Sequence, residues 1–262
     1  MARYRTLFIS DVHLGTRNCQ ASALCDFLDA HDAETLYLVG DIVDFWRIKR
    51  GAFWTEAQSA AIHRLFLKER SGTRVIFIPG NHDDGLRAYC GTGFGNIEIE
   101  RNAIFETASG KRYVVMHGDE FDVVVNHARW LALLGDRGYQ LALLANIPIN
   151  FVRRRFGFGY WSLSAYLKSR VKSAVNFIGD FENLLSDEAK RQGADGIICG
   201  HIHRAASKQI GDVHYVNTGD WVESCTAVVE NDQGELELIN WSDITNKQTS
   251  DDASKDGIGV AA

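Results

Sequence analysis

The chain has 262 residues, is 45% apolar and carries a formal net charge of −6 at pH 7, which fits one large α/β domain with an insertion. The acidic balance of its body disfavours an extended nucleic-acid backbone as the ligand. The five cysteines are scattered without close pairs, which argues against a zinc knuckle or a redox motif and favours a reducing, cytosolic setting.

Short β-rich runs alternate with helical patterns in the first part of the chain. Strands are predicted at 6–10, 35–39 and 74–78, and helices near 21–31 and 56–70. This order indicates βαβ units with parallel strands. Two later stretches, 97–116 and 197–241, have strand-like patterns without intervening helices. The predicted fold class is therefore α/β, with two packed mixed β-sheets flanked by helices.

Residues 121–192 interrupt this order with apolar positions at helical spacing, and we predict an inserted helical cap there. Residues 121–180 carry eight Lys and Arg against three Asp, so the cap is basic and the rest of the chain is acidic. The apolar run at 141–151 is too short to span a bilayer, and no secretory signal is apparent before the first strand. The predicted domain covers 1–245, and the tail at 246–262 is expected to be disordered.

Five short polar motifs each follow an apolar β run. The motifs are Asp11-Val-His13, Gly40-Asp41-x-x-Asp44, Gly80-Asn81-His82-Asp83, His117-Gly-Asp119 and Gly200-His201-Ile-His203. In open α/β sheets, sites are built at the carboxyl ends of the strands, so we expect these side chains to converge. One such motif is weak, because each is also a good turn sequence. Five in one chain predict a single site.

The motifs contain the ligand types of a divalent-metal centre. Carboxylate, amide carbonyl and neutral imidazole groups suit Mn, Fe or Zn. Two ions about 3.5–4 Å apart can clamp the attacking and leaving oxygens of a phosphoryl displacement. Seven donors suffice for two ions if one carboxylate bridges them. We therefore expect two divalent ions per chain, with Mn favoured and Fe or Zn as alternatives.

In these motifs the sequence resembles the calcineurin-like metallophosphoesterase superfamily, whose pattern is D-x-H, G-D-x-x-D, G-N-H-[DE], H and G-H-x-H. The resemblance implies a four-layer sandwich fold and a metal-dependent hydrolase of phosphoric esters or diphosphates. It also implies one group of ligands for each ion and one bridging carboxylate. The groups are Asp11, His13 and His203 for one ion, Asn81, His117 and His201 for the other, and Asp41 as the bridge.

The same resemblance implies roles for the residues beside the ligands. His82 would lie over the substrate phosphate, with Asn81, and would protonate the leaving group. Asp83 would orient His82 by accepting its other ring proton. We interpret Asp44 and Asp119 as residues that support the metal ligands or the fold.

Within the superfamily, the His117-Gly-Asp119 context and the helical block before Gly200 are similar to UDP-2,3-diacylglucosamine pyrophosphatases. These are peripheral membrane enzymes of lipid A synthesis. The similarity implies cleavage of a nucleotide-diphospho lipid or sugar to UMP and a lipid or sugar phosphate. The sequence departs from the best-known members at His82, where they have Arg. Two alternatives stay open: a phosphodiesterase or nucleotidase for soluble or cyclic nucleotides, and a non-catalytic scaffold of the same fold.

The predicted cap offers cations to such a substrate. Ser164, Lys168 and Lys172 recur at i, i+4 and i+8 and would share one helical face. Arg153 and Arg154 would bind substrate phosphate or anionic lipid head groups. The expected partner is a small phosphate ester or diphosphate, including a lipid-linked one, and nucleic acid is not expected. The expected location is the cytoplasm, with peripheral contact to the inner face of the membrane.

Overall fold

The structure is a computed structural model. It describes residues 2–51, 53–121, 145, 148–159 and 161–242, with the backbone alone for 164–177. The chain separates into two compact units. The main unit comprises residues 1–119 and 185–262, and the inserted unit comprises residues 120–184. All five polar motifs belong to the main unit.

Twelve strands in the described residues form two sheets. In chain order they are β1 (Ala2–Ile9), β2 (His31–Val39), β3 (Arg74–Ile78), β4 (Thr92–Phe94), β5 (Ile97–Ile99), β6 (Ala103–Glu106), β7 (Arg112–Val115), β8 (Gly196–Cys199), β9 (Ala206–Ile210), β10 (Val213–Asn217), β11 (Thr226–Glu230) and β12 (Leu236–Asn240). The larger sheet has the order β12-β11-β1-β2-β3-β5-β4, and the smaller sheet has the order β6-β7-β8-β10-β9. Strands β1, β2, β3 and β5 run parallel, as do β7, β8 and β10, and antiparallel strands flank both groups. The predicted pair of mixed sheets is confirmed.

Four helices have defined bounds in the described residues. They are α1 (Ala21–Ala30), α2 (Phe45–Gly51), α3 (Glu56–Arg70) and α4 (Leu163–Arg191). Helix α3 begins where its sequence predicts, because the Thr55 hydroxyl accepts a hydrogen bond from the Gln58 N–H and caps its first turn. The predictions for α1, α3 and the first three strands are confirmed. Helix α2 directly follows the second polar motif and was not predicted.

The central strands are buried on both faces, which explains why they read as continuous apolar runs. In β1, Leu7 and Ile9 belong to one core cluster, and Phe8 belongs to the other. In β2, Leu36 and Tyr37 divide in the same way. One cluster includes residues of α1 and α3, and the other includes residues of the smaller sheet. Each fully buried large side chain contributes about 1.5–3 kcal/mol, so this double burial holds the strand ends firmly in place.

Residues 153–170, the basic run of the inserted unit, include the end of a helix. Residues 148–155 are helical. Gly157 then takes a φ of +78°, and the N–H groups of Phe158 and Gly157 donate to the carbonyls of Arg153 and Arg154 at 2.9 and 3.1 Å. This is a Schellman motif, in which glycine supplies the left-handed backbone. The run at 153–170 is therefore broken before α4 begins.

Two predictions fall partly or wholly outside the described residues. The predicted cap lacks a description for 122–144, 146–147 and 160, and the tail at 246–262 lies wholly outside. The cap bounds of 121–192 and the disorder of the tail therefore stay predictions. In the part of the chain that is described, no helix combines the length and apolar character needed to cross a membrane.

Candidate metal centre

The carboxyl ends of the parallel strands bring the five motifs together. Asp11, Asp41 and Asn81 follow β1, β2 and β3 of the larger sheet. His117 and His201 follow β7 and β8 of the smaller sheet. Because the two sheets share a core, the carboxyl ends of both parallel groups supply one site.

The backbone of this site is strained. Six non-glycine residues in the described chain have a positive φ, and five of them are predicted ligands. These five are Asp11 (50°), His13 (53°), Asp41 (54°), His201 (71°) and His203 (51°). A left-handed conformation of this kind costs a non-glycine residue of the order of 1–3 kcal/mol and clusters at functional sites. The strain turns each side chain toward the site instead of continuing the strand.

The first cluster contains Asp11, His13 and His203, as predicted for one ion. Asp11 Oδ1 lies 3.2 Å from His203 Nε2 and 3.9 Å from His13 Nε2. The two imidazole Nε2 atoms lie 3.1 Å apart. The ligand atoms of all three residues lie within 4.8 Å of one another, which is close enough for one ion to contact them all.

The second cluster contains Asp41, His117 and His201, again with ligand atoms within 4.8 Å. Asp41 Oδ2 lies 3.4 Å from His117 Nε2 in this cluster and 3.8 Å from His13 Nε2 in the first cluster. Asp41 therefore occupies the position between the clusters that a bridging carboxylate needs. His117 Nδ1 is 2.8 Å from the Val39 carbonyl, and donation there leaves Nε2 for a metal ion.

Hydrogen bonds to the backbone orient both carboxylates. Asp11 Oδ2 accepts from the His201 N–H at 2.8 Å and from the Ser10 hydroxyl at 2.5 Å. Asp41 Oδ1 accepts from the His82 N–H at 2.8 Å. In each carboxylate one oxygen is thus held by the protein and the other faces the imidazoles.

The charges of the site are strongly coupled. Burial by itself raises the pKa of Asp11, but the imidazole of His203 and its neighbours outweigh burial and lower that pKa below its usual value. Burial also raises the pKa of Asp41, but the imidazoles of His117 and His13 outweigh burial and lower that pKa below its usual value. Burial lowers the pKa of His117, whereas Asp41 above all raises it, to about 10. The carboxylate of Asp41 and the imidazole of His117 therefore each stabilise the charged form of the other.

The residues present fit a pair of divalent ions. Three buried atoms of the predicted metal ligands form no hydrogen bond to any described residue: Asp11 Oδ1, Asn81 Oδ1 and His117 Nε2. Such atoms are costly to bury unless another partner satisfies them, and a cation satisfies all three. The surrounding space is also closed to side chains, because a Cβ on Gly40 would lie 2.2 Å from His117 Nδ1. The donor set of carboxylate, amide oxygen and imidazole suits Mn, Fe or Zn.

His82 lies beside the clusters, in contact with two residues of the second motif and α2. His82 Nε2 is 3.9 Å from Asp41 Oδ2, and His82 Nδ1 is 2.9 Å from Asp44 Oδ2. The Trp46 ring lies against the imidazole with a centroid distance of 4.4 Å. Asp44 also accepts a hydrogen bond from the Arg47 N–H at 2.8 Å and so caps α2. Burial raises the pKa of Asp44, but contacts from His13 and His82 lower it overall.

The predicted role of Asp83 is wrong, because the carboxylate that faces His82 is that of Asp44. Asp83 is fully buried and accepts backbone hydrogen bonds from Gly80 at 2.5 Å and Ile42 at 2.8 Å. Burial first, and then the nearby Asp41 carboxylate, raise the pKa of Asp83 to about 6. Asp83 therefore ties the loops after β2 and β3 together. Sequence proximity to His82 gave a misleading signal.

Several supporting residues were not found from the sequence. Asn217, at the end of β10, donates from Nδ2 to the Gly200 carbonyl at 2.7 Å and accepts from the Gly219 N–H at 3.0 Å. It thereby fixes the loop that carries His201 and His203. Asp119 forms an ion pair with Arg87 at 2.7 Å, which supports its structural reading. The position of Asn217, a polar residue at the end of a parallel strand, could have indicated its role from the sequence. No pattern in the sequence indicated the role of Arg87.

Five of the predicted substrate contacts lie in the inserted unit, whereas Asn81 and His82 lie in the main unit. The side chains of Ser164, Lys168 and Lys172 fall outside what the structure describes, although all three positions lie within α4. Arg153 donates to the Gly159 carbonyl at 3.2 Å, and Arg154 is exposed. Substrate binding by these five residues stays a prediction.

The sequence profile of the Calcineurin-like phosphoesterase family matches residues 4–205. The chain belongs to this calcineurin-like phosphoesterase family. Together with the paired His/Asp clusters, this membership defines a metal-dependent hydrolase of phosphoric esters.

Similar proteins carry a more specific name. The chain is 26% identical over 218 residues to a UDP-2,3-diacylglucosamine hydrolase of Blochmanniella pennsylvanica, covering 78% of this chain and 81% of that protein. It is 25% identical over 250 residues to a protein of the same name in Pasteurella multocida, covering 90% and 98%. Among solved structures, a phosphoesterase of E. coli, Yfce, covers 91% of this chain and 93% of its own with 15% identity and a TM-score of 0.45.

Proposed function

We propose that the chain hydrolyses the diphosphate bond of UDP-2,3-diacylglucosamine, or of a related nucleotide-diphospho lipid or sugar. The products would be UMP and a lipid or sugar phosphate. The observation that carries this proposal is the pair of His/Asp clusters on either side of Asp41. It is supported by the similarity of the chain, over most of its length, to proteins named UDP-2,3-diacylglucosamine hydrolase. A two-ion centre suits in-line cleavage of a diphosphate.

The residues of the two clusters would divide the work of holding the ions. Asp11, His13 and His203 would hold one ion, and Asn81, His117 and His201 the other, with Asp41 between them. When bound, two divalent ions clamp the attacking and leaving oxygens and lower the pKa of a bound water. Mn is the expected ion. The backbone hydrogen bonds to Asp11 and Asp41 would keep their second oxygens aimed at the ions as the substrate changes charge.

His82 would supply the proton for the leaving oxygen. Its Nδ1 faces Asp44 at 2.9 Å, so the opposite ring nitrogen, Nε2, is the one that faces the bridging Asp41. A water oxygen would bond to the attacked phosphorus while that water releases one proton to the solvent. The bond from that phosphorus to the bridging oxygen would break, and the bridging oxygen would take the proton from His82 Nε2. Asp44 would stabilise the protonated imidazole until transfer.

The inserted unit would bind the rest of the substrate and the membrane surface. Phe151 and Phe156 are 75% and 73% exposed, next to the exposed cations Arg154 and Arg155. Exposed rings and arginines together suit the interface of an anionic bilayer, where each cation contributes about 1 kcal/mol. Arg153, Arg154, Ser164, Lys168 and Lys172 would hold the substrate diphosphate.

The test uses the purified chain loaded with Mn²⁺ and UDP-2,3-diacylglucosamine in mixed micelles. Mass spectrometry should detect UMP and the lipid monophosphate, and His82→Ala should abolish both products while retaining bound metal. Reaction in ¹⁸O-labelled water would identify the attacked phosphorus by the product that carries the label. If the lipid substrate stays intact while bis(p-nitrophenyl) phosphate is cleaved, the substrate assignment is wrong and the reaction class stands.

The membrane contact needs a separate measurement. Reversal of charge at residues 153–155 should reduce sedimentation with anionic liposomes and leave turnover of a soluble phosphodiester unchanged. Equal binding of the wild type and the charge-reversed chain would contradict the proposed contact.

A further inference from the structure

Trp46 is an exposed aromatic residue at the edge of the metal centre that the reaction itself does not use. Its side chain is 45% exposed, although one part of the ring lies against His82. The two rings are tilted by 34° with their centroids 4.4 Å apart. An indole that is half exposed beside a reacting imidazole has a free apolar surface for a planar group of a substrate.

The position of Trp46 is fixed by the same contacts that build the site. The Phe45 N–H donates to the His82 carbonyl at 3.1 Å, and the Ile48 N–H donates to the Asp44 carbonyl at 3.0 Å. Asp44 in addition caps α2 through Arg47. The backbone that carries the indole is therefore held before any ligand arrives, and the indole itself lies against His82, so stacking on it requires little further loss of conformational freedom.

The segment that carries Trp46 is also basic. Residues 45–55 contain Arg47, Lys49 and Arg50 and no acidic residue. All three cations lie on the exposed part of α2 or at its margin. A phosphorylated ligand with an aromatic group would therefore meet attractive charge and a stacking surface in the same place.

Distance along the ligand selects the aromatic group. The Trp46 and His82 ring centroids lie 4.4 Å apart, and His82 Nε2 lies 3.9 Å from Asp41 Oδ2, so one imidazole separates the indole from the bridging carboxylate. In a nucleoside diphosphate, one ribose separates the base from the first phosphorus. We propose that Trp46 forms the subsite for the nucleobase and stacks on its face while the first phosphate lies between the metal clusters. This assignment rests on the proposed function only in requiring a nucleotide as part of the substrate.

The test compares two ligands that differ in the base alone. The full chain, loaded with Mn²⁺, is titrated calorimetrically with UMP and with ribose 5-phosphate. The wild type should bind UMP about five- to 150-fold more tightly, the factor given by a stacking contribution of about 1–3 kcal/mol. Trp46→Leu should reduce this ratio to near one by weakening UMP alone, and Trp46→Phe should retain most of it.

Trp54→Leu is the matched control. Trp54 is 43% exposed on the same segment, and its indole N–H donates to the Ser59 hydroxyl at 2.8 Å. This variant should keep the wild-type ratio. An unchanged ratio in Trp46→Leu, equal weakening of both ligands, or a wild type without preference for UMP would each overturn the proposal. An intact lipid substrate with a preserved UMP preference would refute the lipid assignment and leave the base subsite standing.

Discussion

Replacing Asp44 by Asn tests whether this carboxylate acts through His82. In the folded chain Asp44 has three contacts: Oδ1 accepts from the Arg47 N–H at 2.8 Å, and Oδ2 faces His82 Nδ1 at 2.9 Å and His13 Nδ1 at 3.6 Å. An Asn side chain keeps an oxygen for the Arg47 N–H and replaces the second oxygen by an amide. The substitution therefore retains the cap of α2 and removes the negative charge beside His82.

The expected loss follows from the energy of one contact with a charged group. Such contacts contribute about 1.5–3 kcal/mol, and 1.36 kcal/mol corresponds to a factor of ten in rate. Asp44→Asn should therefore lower turnover by about 10- to 150-fold. Unfolding should change little, because the cap remains. Asp44→Ala should lower turnover similarly and in addition lose about 1 kcal/mol of stability through the missing cap.

The assay measures turnover of bis(p-nitrophenyl) phosphate at saturating Mn²⁺, with bound metal and thermal unfolding recorded for each variant. The decisive comparison is a double-mutant cycle, in which Asp44→Asn should have no further effect in a His82→Ala background. Wild-type turnover in Asp44→Asn would refute the reasoning. An additional loss in the His82→Ala background would show that Asp44 acts by another route, such as the nearby His13 ligand.

Three further predictions concern the metal centre. Asp41→Ala should reduce bound divalent metal below the two ions per chain of the wild type and abolish turnover, whereas His82→Ala should keep the metal, as measured by mass spectrometry of the elements. Gly40→Ala should lower the free energy of unfolding by more than about 1 kcal/mol and impair metal binding. The reason is that φ at Gly40 is +82° and the new Cβ would lie 2.2 Å from His117 Nδ1. An unchanged Tm would contradict this expectation. Metal affinity should rise with pH, because the pKa of about 10 for His117 in the metal-free site means that an ion must displace a proton. Calorimetry in two buffers should detect the released proton. A metal affinity that does not depend on pH would rule out this proton displacement.

The fold was readable where local patterns and burial agree. The apolar runs of β1 to β3, alternating with helical patterns, predicted parallel strands, and the helical pattern near 56–70 predicted α3. Helix α2 escaped prediction because it has only seven residues and no buried face. Besides the local cap by Asp44, it is held by the hydrogen bond from the Phe45 N–H to the His82 carbonyl, a contact with a distant part of the chain.

The predicted metal ligands were readable because their chemistry is carried by residue type and position. When Asp, Asn or His directly follows a strand, its side chain lies at the carboxyl end of that strand, whichever residues lie opposite. The orientation of His82 was not readable, because its neighbour in sequence, Asp83, points to backbone N–H groups. The carboxylate that meets His82 comes from a motif about 40 residues earlier.

The sequence by itself determined the ligand types, the strand ends that carry them and the class of reaction, because these depend on local composition and on side-chain chemistry. The tertiary structure decided which oxygen of each carboxylate faces the ions, which carboxylate meets His82 and where Trp46 lies. Those choices follow from strand order and from the left-handed backbone at the ligands, which depend on contacts between residues far apart in the chain.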